Sequence, residues 1–146
     1  MISCTEFIPL YSELFQYIED RRGKEGVNKY WEYISDAYVA PRLGAEVEKH
    51  GGMRGCWEYW SKSLNEEAAD FTMTYDPDAE EFSIVMHHCP SKGMLDSFTH
   101  FEPYNDYCGH CDLLYARVLE KYGIKFTNTV SKTCPAACVC HATKMK

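Results

Sequence analysis

No stretch of this sequence approaches the ~20 consecutive apolar residues that a membrane-spanning helix needs, so a membrane partner or span is not expected. Positive charge is scarce as well: 15 Lys and Arg stand against 22 Asp and Glu, for a net charge of −7. Such a chain repels polyanions, so nucleic acid and anionic lipid surfaces are not expected as partners either. The opening residues, MISCTEFIPLYSE, show no basic segment followed by an apolar one and read as lacking a signal peptide. That reading predicts the cytoplasm, where thiols stay reduced. Internal repeats and low-complexity tracts are also missing. With 146 residues, the chain is expected to form a single domain over 1–146 with one core.

What the chain has in excess is cysteine, eight in all. In a secreted protein they would be read as disulfides; in a cytoplasmic one they point to metal binding or catalysis. Apolar residues make up 45% of the chain and aromatics 14%, which excludes a disordered segment. Charge is uneven along it. Residues 113–146 carry Arg117, Lys121, Lys125, Lys132, Lys144 and Lys146 against Glu120 alone. This predicts an exposed basic face that pairs with the acidic remainder.

Hydrophobic period changes near residue 70. Leu10, Leu14, Phe15 and Ile18 form a helical stripe that ends at RRG, and Val27, Tyr30, Trp31, Ile34, Ala37 and Tyr38 form a second. Pro41 should interrupt or kink that helix. Past the glycine-rich HGGMRGC, Trp57, Trp60, Leu64 and Ala68 make a third stripe. Helical spacing of this kind is the signature of a buried face. FTMTY and EFSIVMHH then flank the turn-rich DPDAE and read as a β-hairpin. A longer loop with short helical possibilities follows, then a helix over DYCGHCDLLYARVLEKYG, capped by Asn105 or Asp106 and stopped by Gly123. IKFTNTV and ACVCHATK read as a second strand pair. The expected fold is α+β: a helical N-terminal half packed on an antiparallel sheet of about four strands, with one long helix between two strand pairs.

The most distinctive stretch is YCGHCD at 107–112. Cys-Gly-His-Cys can serve as a redox dithiol, but a thioredoxin-type domain places it after a strongly apolar strand. Here the preceding THFEPYND is polar, so a dithiol oxidoreductase is the least favoured reading. Cys108 and Cys111, three apart, share a helical face with Tyr115, Val118 and Tyr122. A helix N-terminus favours the thiolate form, which suits a nucleophile and a metal ligand equally. Cys89 ends a strand just before Pro90, and Cys138 and Cys140 share one strand face by period two. Cys89, Cys108, Cys111, Cys138 and Cys140 are therefore the candidate metal ligands, for zinc or iron. Cys4, Cys56 and His50 look incidental. Packing as small buried hydrophobes is the plain alternative for all the cysteines.

The HCP…G strand end, the YCGHCDLLY…VLEKYG helix and the late cysteine strand resemble the L-2-amino-thiazoline-4-carboxylic acid hydrolase-like family. EGVNKYWEYISDAY and GCWEYWSKSL are similar to its helical half. The resemblance implies hydrolytic ring opening of a small thiazoline amino acid to an N-carbamoyl cysteine. It matches Cys89 to the family's strand-end cysteine, Cys108 or Cys111 with Asp112 to its helix cysteine and acid, and Cys138 or Cys140 to its late strand cysteine. The C-terminal CPAACVCHATK has more cysteines than that pattern. A more distant similarity is to 4-vinyl-reductase-type small-ligand domains.

Chemically, opening a cyclic amidine or thioimidate needs attack at an sp² carbon and a proton for the leaving atom. Cys108 or Cys111 could supply the thiolate, with His110, His88 or Asp112 as acid or base. A metal-bound hydroxide could replace the thiolate. The expected function is thus a hydrolase acting on a small cyclic amidine or thiazoline-type carboxylate. The competing class is a non-enzymatic small-ligand or Cys-ligated metal-binding sensor module. A homodimer is left open.

Overall fold

A computed structural model describes residues 4–66, 69–134 and 136–146. Helix α1 runs Cys4–Ile34 and bends at Gly23, whose φ of 65° lies in the left-handed region. This is the RRG break expected from the sequence, and glycine tolerates that backbone without a Cβ clash. The winding then widens into a π-helical segment, Ser35–Gly44, which contains Pro41. Proline has no N–H for the regular ladder, and the chain absorbs it here by loosening rather than stopping. Helix α2 (Ala45–His50) and helix α3 (Gly52–Glu66) follow, separated by Gly51 at φ 80°.

Strands β1 (Asp70–Asp76) and β2 (Glu81–His88) form the expected hairpin. The Asp76 carboxylate accepts from the N–H groups of Asp78 and Ala79 at 2.9 and 3.0 Å, fixing the turn. A short helix, α4 (Pro90–Ser97), forms in the stretch after β2 where the sequence allows a loop with short helical pieces. Helix α5 (Gly109–Glu120) is followed by Gly123 at φ 69°, then β3 (Ile124–Val130) and β4 (Cys138–Lys144). The sheet has the order β1-β2-β4-β3, with every neighbouring pair antiparallel. The fold is therefore α+β, a helical N-terminal region on a four-stranded antiparallel sheet with a helix between the strand pairs.

Alternation decides which sheet face is covered. In β2, Phe82, Ile84 and Met86 are buried while Val85 and His87 are exposed. The register places Ile84 beside Cys140 and Met86 beside Cys138, with Asn128 and Val130 on the far side of β4. One row down, Phe82, Ala142 and Phe126 form the floor under Trp60. The Trp60 indole stacks on Phe82 and on Phe126, each centroid at 5.5 Å. Ala142, fully buried between them, leaves room for the ring.

Two buried serines tie layers together. Ser35 Oγ donates to the Leu114 carbonyl at 2.8 Å, fastening the π-helical segment to α5. Ser12 Oγ accepts from the Tyr104 N–H at 2.8 Å, fastening the loop before α5 to α1. Each satisfies a buried polar group that would otherwise cost about 1–3 kcal/mol. No described helix is long and apolar enough to cross a membrane.

Candidate functional site

The thiols converge at one end of the sheet. Cys89 leaves β2 and caps α4: its sulfur accepts from the Lys92 N–H at 3.5 Å, and Pro90 takes the first helical position, where no N–H is needed. The Cys89 N–H donates to the Ala136 carbonyl at 2.7 Å, and the Ser131 N–H to the Ala137 carbonyl at 2.8 Å. These bonds draw the start of β4, and Cys138 with it, toward the end of β2. Cys108, at the entrance to α5, lies within electrostatic range of Cys89, Lys92, Cys138 and Asp96. Cys140 lies within range of Cys138, Cys111 and Asp112. Electrostatic range thus links Cys108 with Cys89 and Cys138, and Cys140 with Cys138 and Cys111. The cysteines at 56, 89, 108, 111, 134, 138 and 140 are reduced thiols.

Their electrostatics differ from one another. Burial pushes the Cys108 thiol up to about 11, with Cys89 adding to the effect. The lowering expected from a helix N-terminus is outweighed because Cys108 is desolvated. In β4, the interaction of the neighboring Cys138 and Cys140 thiols holds Cys138 below the ordinary thiol range and, with burial, drives Cys140 above it. The Cys140 thiol donates to Asn128 Oδ1 at 3.6 Å. Cys56 is buried in the helical core, where desolvation pushes it up to about 12.

His110 is placed by its backbone and by rings. Its Nδ1–H donates to the Tyr107 carbonyl, which leaves Nε2 as the acceptor in the neutral imidazole. Nε2 stands 3.4 Å from Cys111 Sγ, so the Cys111 thiol donates to it. Burial pushes His110 down to about 4, so the ring is neutral at pH 7. Tyr11 and Tyr107 pack edge-on to the imidazole at 5.6 and 4.8 Å. Burial raises both phenols above their ordinary range, so they remain protonated. Tyr107 also shares a hydrogen bond with Ser91.

The other sequence candidates separate from this center. Asp112 Oδ1 accepts the Asn128 N–H at 3.0 Å and so staples α5 to β3. His88 is exposed, and its ring lies over Gly93, where a Cβ would collide with it. Asp106 does not cap α5 through its side chain but pairs with Lys24 on α1. Cys134 is exposed in the connection between β3 and β4. Among the described residues, no three His, Cys, Asp or Glu side chains are placed to hold one metal ion. Tyr11 was not singled out in the sequence, since nothing local places it against His110. Asn128 was hidden likewise, because only the β3–β4 register brings it beside Cys140.

No protein-family model and no curated protein matches this chain.

Proposed function

We propose that the protein is a hydrolase that opens a small cyclic amidine or thiazoline-type carboxylate, with Cys111 as nucleophile and His110 as its proton partner. The observation that supports this most is the 3.4 Å approach of His110 Nε2 to Cys111 Sγ with the tautomer fixed by Tyr107. A thiol facing a histidine whose other nitrogen is already committed is the arrangement that nucleophilic catalysis requires. The resemblance of the thiol segments to the thiazoline hydrolase-like family agrees with it and suggests the substrate class.

In this reaction His110 Nε2 takes the Cys111 proton as the sulfur adds to the sp² carbon between the ring heteroatoms. Collapse of the adduct breaks the ring C–S or C–N bond, and the proton passes from His110 to the departing atom. Water then adds to the same carbon and releases Cys111 as a thiol. The product carries the water oxygen as a carbonyl, and the enzyme is unchanged. Tyr11 and Tyr107, protonated beside the imidazole, are placed to keep its surroundings dry.

The test is turnover of 2-amino-thiazoline-4-carboxylate, read as release of a new thiol when the C–S bond opens. The wild-type protein should turn it over, and Cys111→Ser and His110→Gln should each lose about 10²-fold or more. Full activity in Cys111→Ser would overturn the assignment.

A second reading is a Cys-ligated binding module for zinc or iron, and it rests on Cys108 lying within range of both Cys89 and Cys138. Thiolate sulfurs from separate elements are the donor set those metals take. Metal content of protein purified without chelator tests it. A stoichiometric metal lost in Cys108→Ser would favor this reading over the hydrolase.

A further inference from the structure

Leu10 and Leu14 read as core in the sequence, yet both stand on the solvent side of α1. Phe7, Leu10, Leu14 and Tyr17 are 60, 56, 37 and 54% exposed, while Ser12 and Phe15 across the helix are fully buried. Their alternating spacing of three and four residues puts the four on one stripe, the seam pattern of a coiled coil. The solvent side of a surface helix is ordinarily polar, so α1 carries one apolar face for the core and a second that faces water. Arg21 closes the stripe at its C-terminal end, with its guanidinium carbon 3.5 Å from the centroid of the Tyr17 ring. Beside the N-terminal half of the stripe lies a cleft of about 420 Å³. Pro9, Leu10 and Glu13 wall it on one side, and Phe98, His100 and Phe101 on the other.

Charge decides what fits this face. Glu6, Glu13 and Asp20 recur every seven residues along one flank of the stripe, and all three are exposed. The matching positions on the other flank are Tyr11 and Ile18, which carry no charge. A second copy is therefore a poor occupant. A twofold axis near Leu14 would lay the acidic flank on itself, Glu13 against Glu13 and Glu6 against Asp20. A parallel pairing would leave the acids facing Tyr11 and Ile18. We propose that this face docks a basic amphipathic helix of another protein. Leucine-like side chains of the partner seat along Phe7, Leu10, Leu14 and Tyr17, and its lysine or arginine side chains stand against Glu6, Glu13 and Asp20. One apolar anchor enters the cleft beside Phe98 and Phe101. The stripe runs about 15 Å along the helix axis, so a partner helix of about three turns covers it. The inference stands apart from the hydrolase reading, since Cys111 and His110 are not part of this face.

The probe is a fluorescein-labeled peptide of leucine and lysine alone, about two heptads long, with leucine at the seam positions. Fluorescence anisotropy against the whole protein reads its binding. Wild type should bind it, and more tightly at about 50 mM than at about 200 mM salt. Leu10→Gln with Leu14→Gln should weaken binding about tenfold or more, because apolar seam contacts are lost while net charge and helix propensity are kept. Glu13→Lys with Asp20→Lys should weaken binding at the lower salt and remove most of the salt dependence. A peptide of the same composition, with its leucines spread around the helix, should bind poorly. Equal binding of the two peptides, binding unchanged in the leucine variant, or no binding at all would overturn the proposal. So would a wild-type dimer in sedimentation velocity, or capture by phosphatidylcholine vesicles, that the leucine variant abolishes, since either puts a different occupant on the face.

Discussion

His110 Nε2 lies 3.4 Å from Cys111 Sγ, although the two residues are neighbors in the chain. Adjacent helical side chains ordinarily diverge by about 100° around the axis. Here they meet because His110 sits in the first turn of α5 and its Nδ1–H is tied back to the Tyr107 carbonyl. That bond swings the imidazole along the helix entrance toward the sulfur.

The same placement gives a pH signature. In the unfolded chain the imidazole titrates near 6.5, and in the fold burial holds it at about 4. Between those values the unfolded state binds a proton that the folded state refuses, so acid favors unfolding there. The stability is fully present above about 6.5 and is lost as pH falls toward 4, by at most roughly 3 kcal/mol. Urea unfolding at about pH 7 and about pH 5 should show wild type losing stability while His110→Gln changes less. Equal losses in the two proteins would contradict this burial account.

Asp112 should prove structural rather than catalytic. Its carboxylate is occupied by the Asn128 N–H at 3.0 Å. Asp112→Ala removes that staple and should cost about 1 kcal/mol in urea unfolding. Thiol release from the thiazoline substrate should persist in this variant. A loss comparable to that of Cys111→Ser would return Asp112 to the chemistry.

The architecture was legible because its signals are local. The change of period near residue 70, the DPDAE turn and the glycine at 123 each act within a few residues, and β1, β2, β3 and α5 follow them. Helix and strand periods put Cys108 with Cys111, and Cys138 with Cys140, on common faces, and the fold brings Cys108 within electrostatic range of Cys89 and Cys138. The hidden parts depend on tertiary register. Nothing local says that Tyr11 on α1 meets His110, or that a β3 asparagine lies beside Cys140. Proline at 41 was read as a break or kink, yet packing of Val39 and Leu43 into the core holds the segment helical in a wider winding. The lowered thiol expected at Cys108 failed for a similar reason: the dipole is a local feature, while desolvation is set by neighbors distant in sequence.

Gly55 marks a second place where the fold tolerates no side chain. A Cβ there would drive into the backbone of Glu46 and Val47, where α3 crosses α2. Backbone cannot rotate aside as a flexible side chain can. Gly55→Ala should therefore cost about 1–3 kcal/mol, despite the gain in helix propensity that alanine ordinarily brings. Thermal unfolding followed by circular dichroism would measure it, with an unchanged or raised midpoint as the contrary result.

The stack on the sheet floor gives the last test, and it separates the helical layer from the thiol site. Trp60 is buried against Phe82 and Phe126, with interplanar angles of 18° and 6°, and touches Tyr115 edge-on at 5.1 Å. Trp60→Ala removes the ring that joins α3 to the sheet and leaves a cavity, for an expected loss of about 3–5 kcal/mol. Ala142→Val approaches the same contact from below. The added methyls enter a fully buried position between the two phenylalanines, and overpacking there should cost about 1–3 kcal/mol. Because the two sites share one contact, the effects should couple. In the double variant the valine methyls occupy space vacated by the indole, so the combined loss should fall short of the sum of the single losses. Simple additivity in a double-mutant cycle by urea unfolding would mean that Ala142 is small for some reason other than Trp60. Cys111 reactivity toward iodoacetamide, measured on the folded fraction, should stay the same throughout, since Cys111 lies in the first turn of α5, a helical turn before the Tyr115 that Trp60 touches.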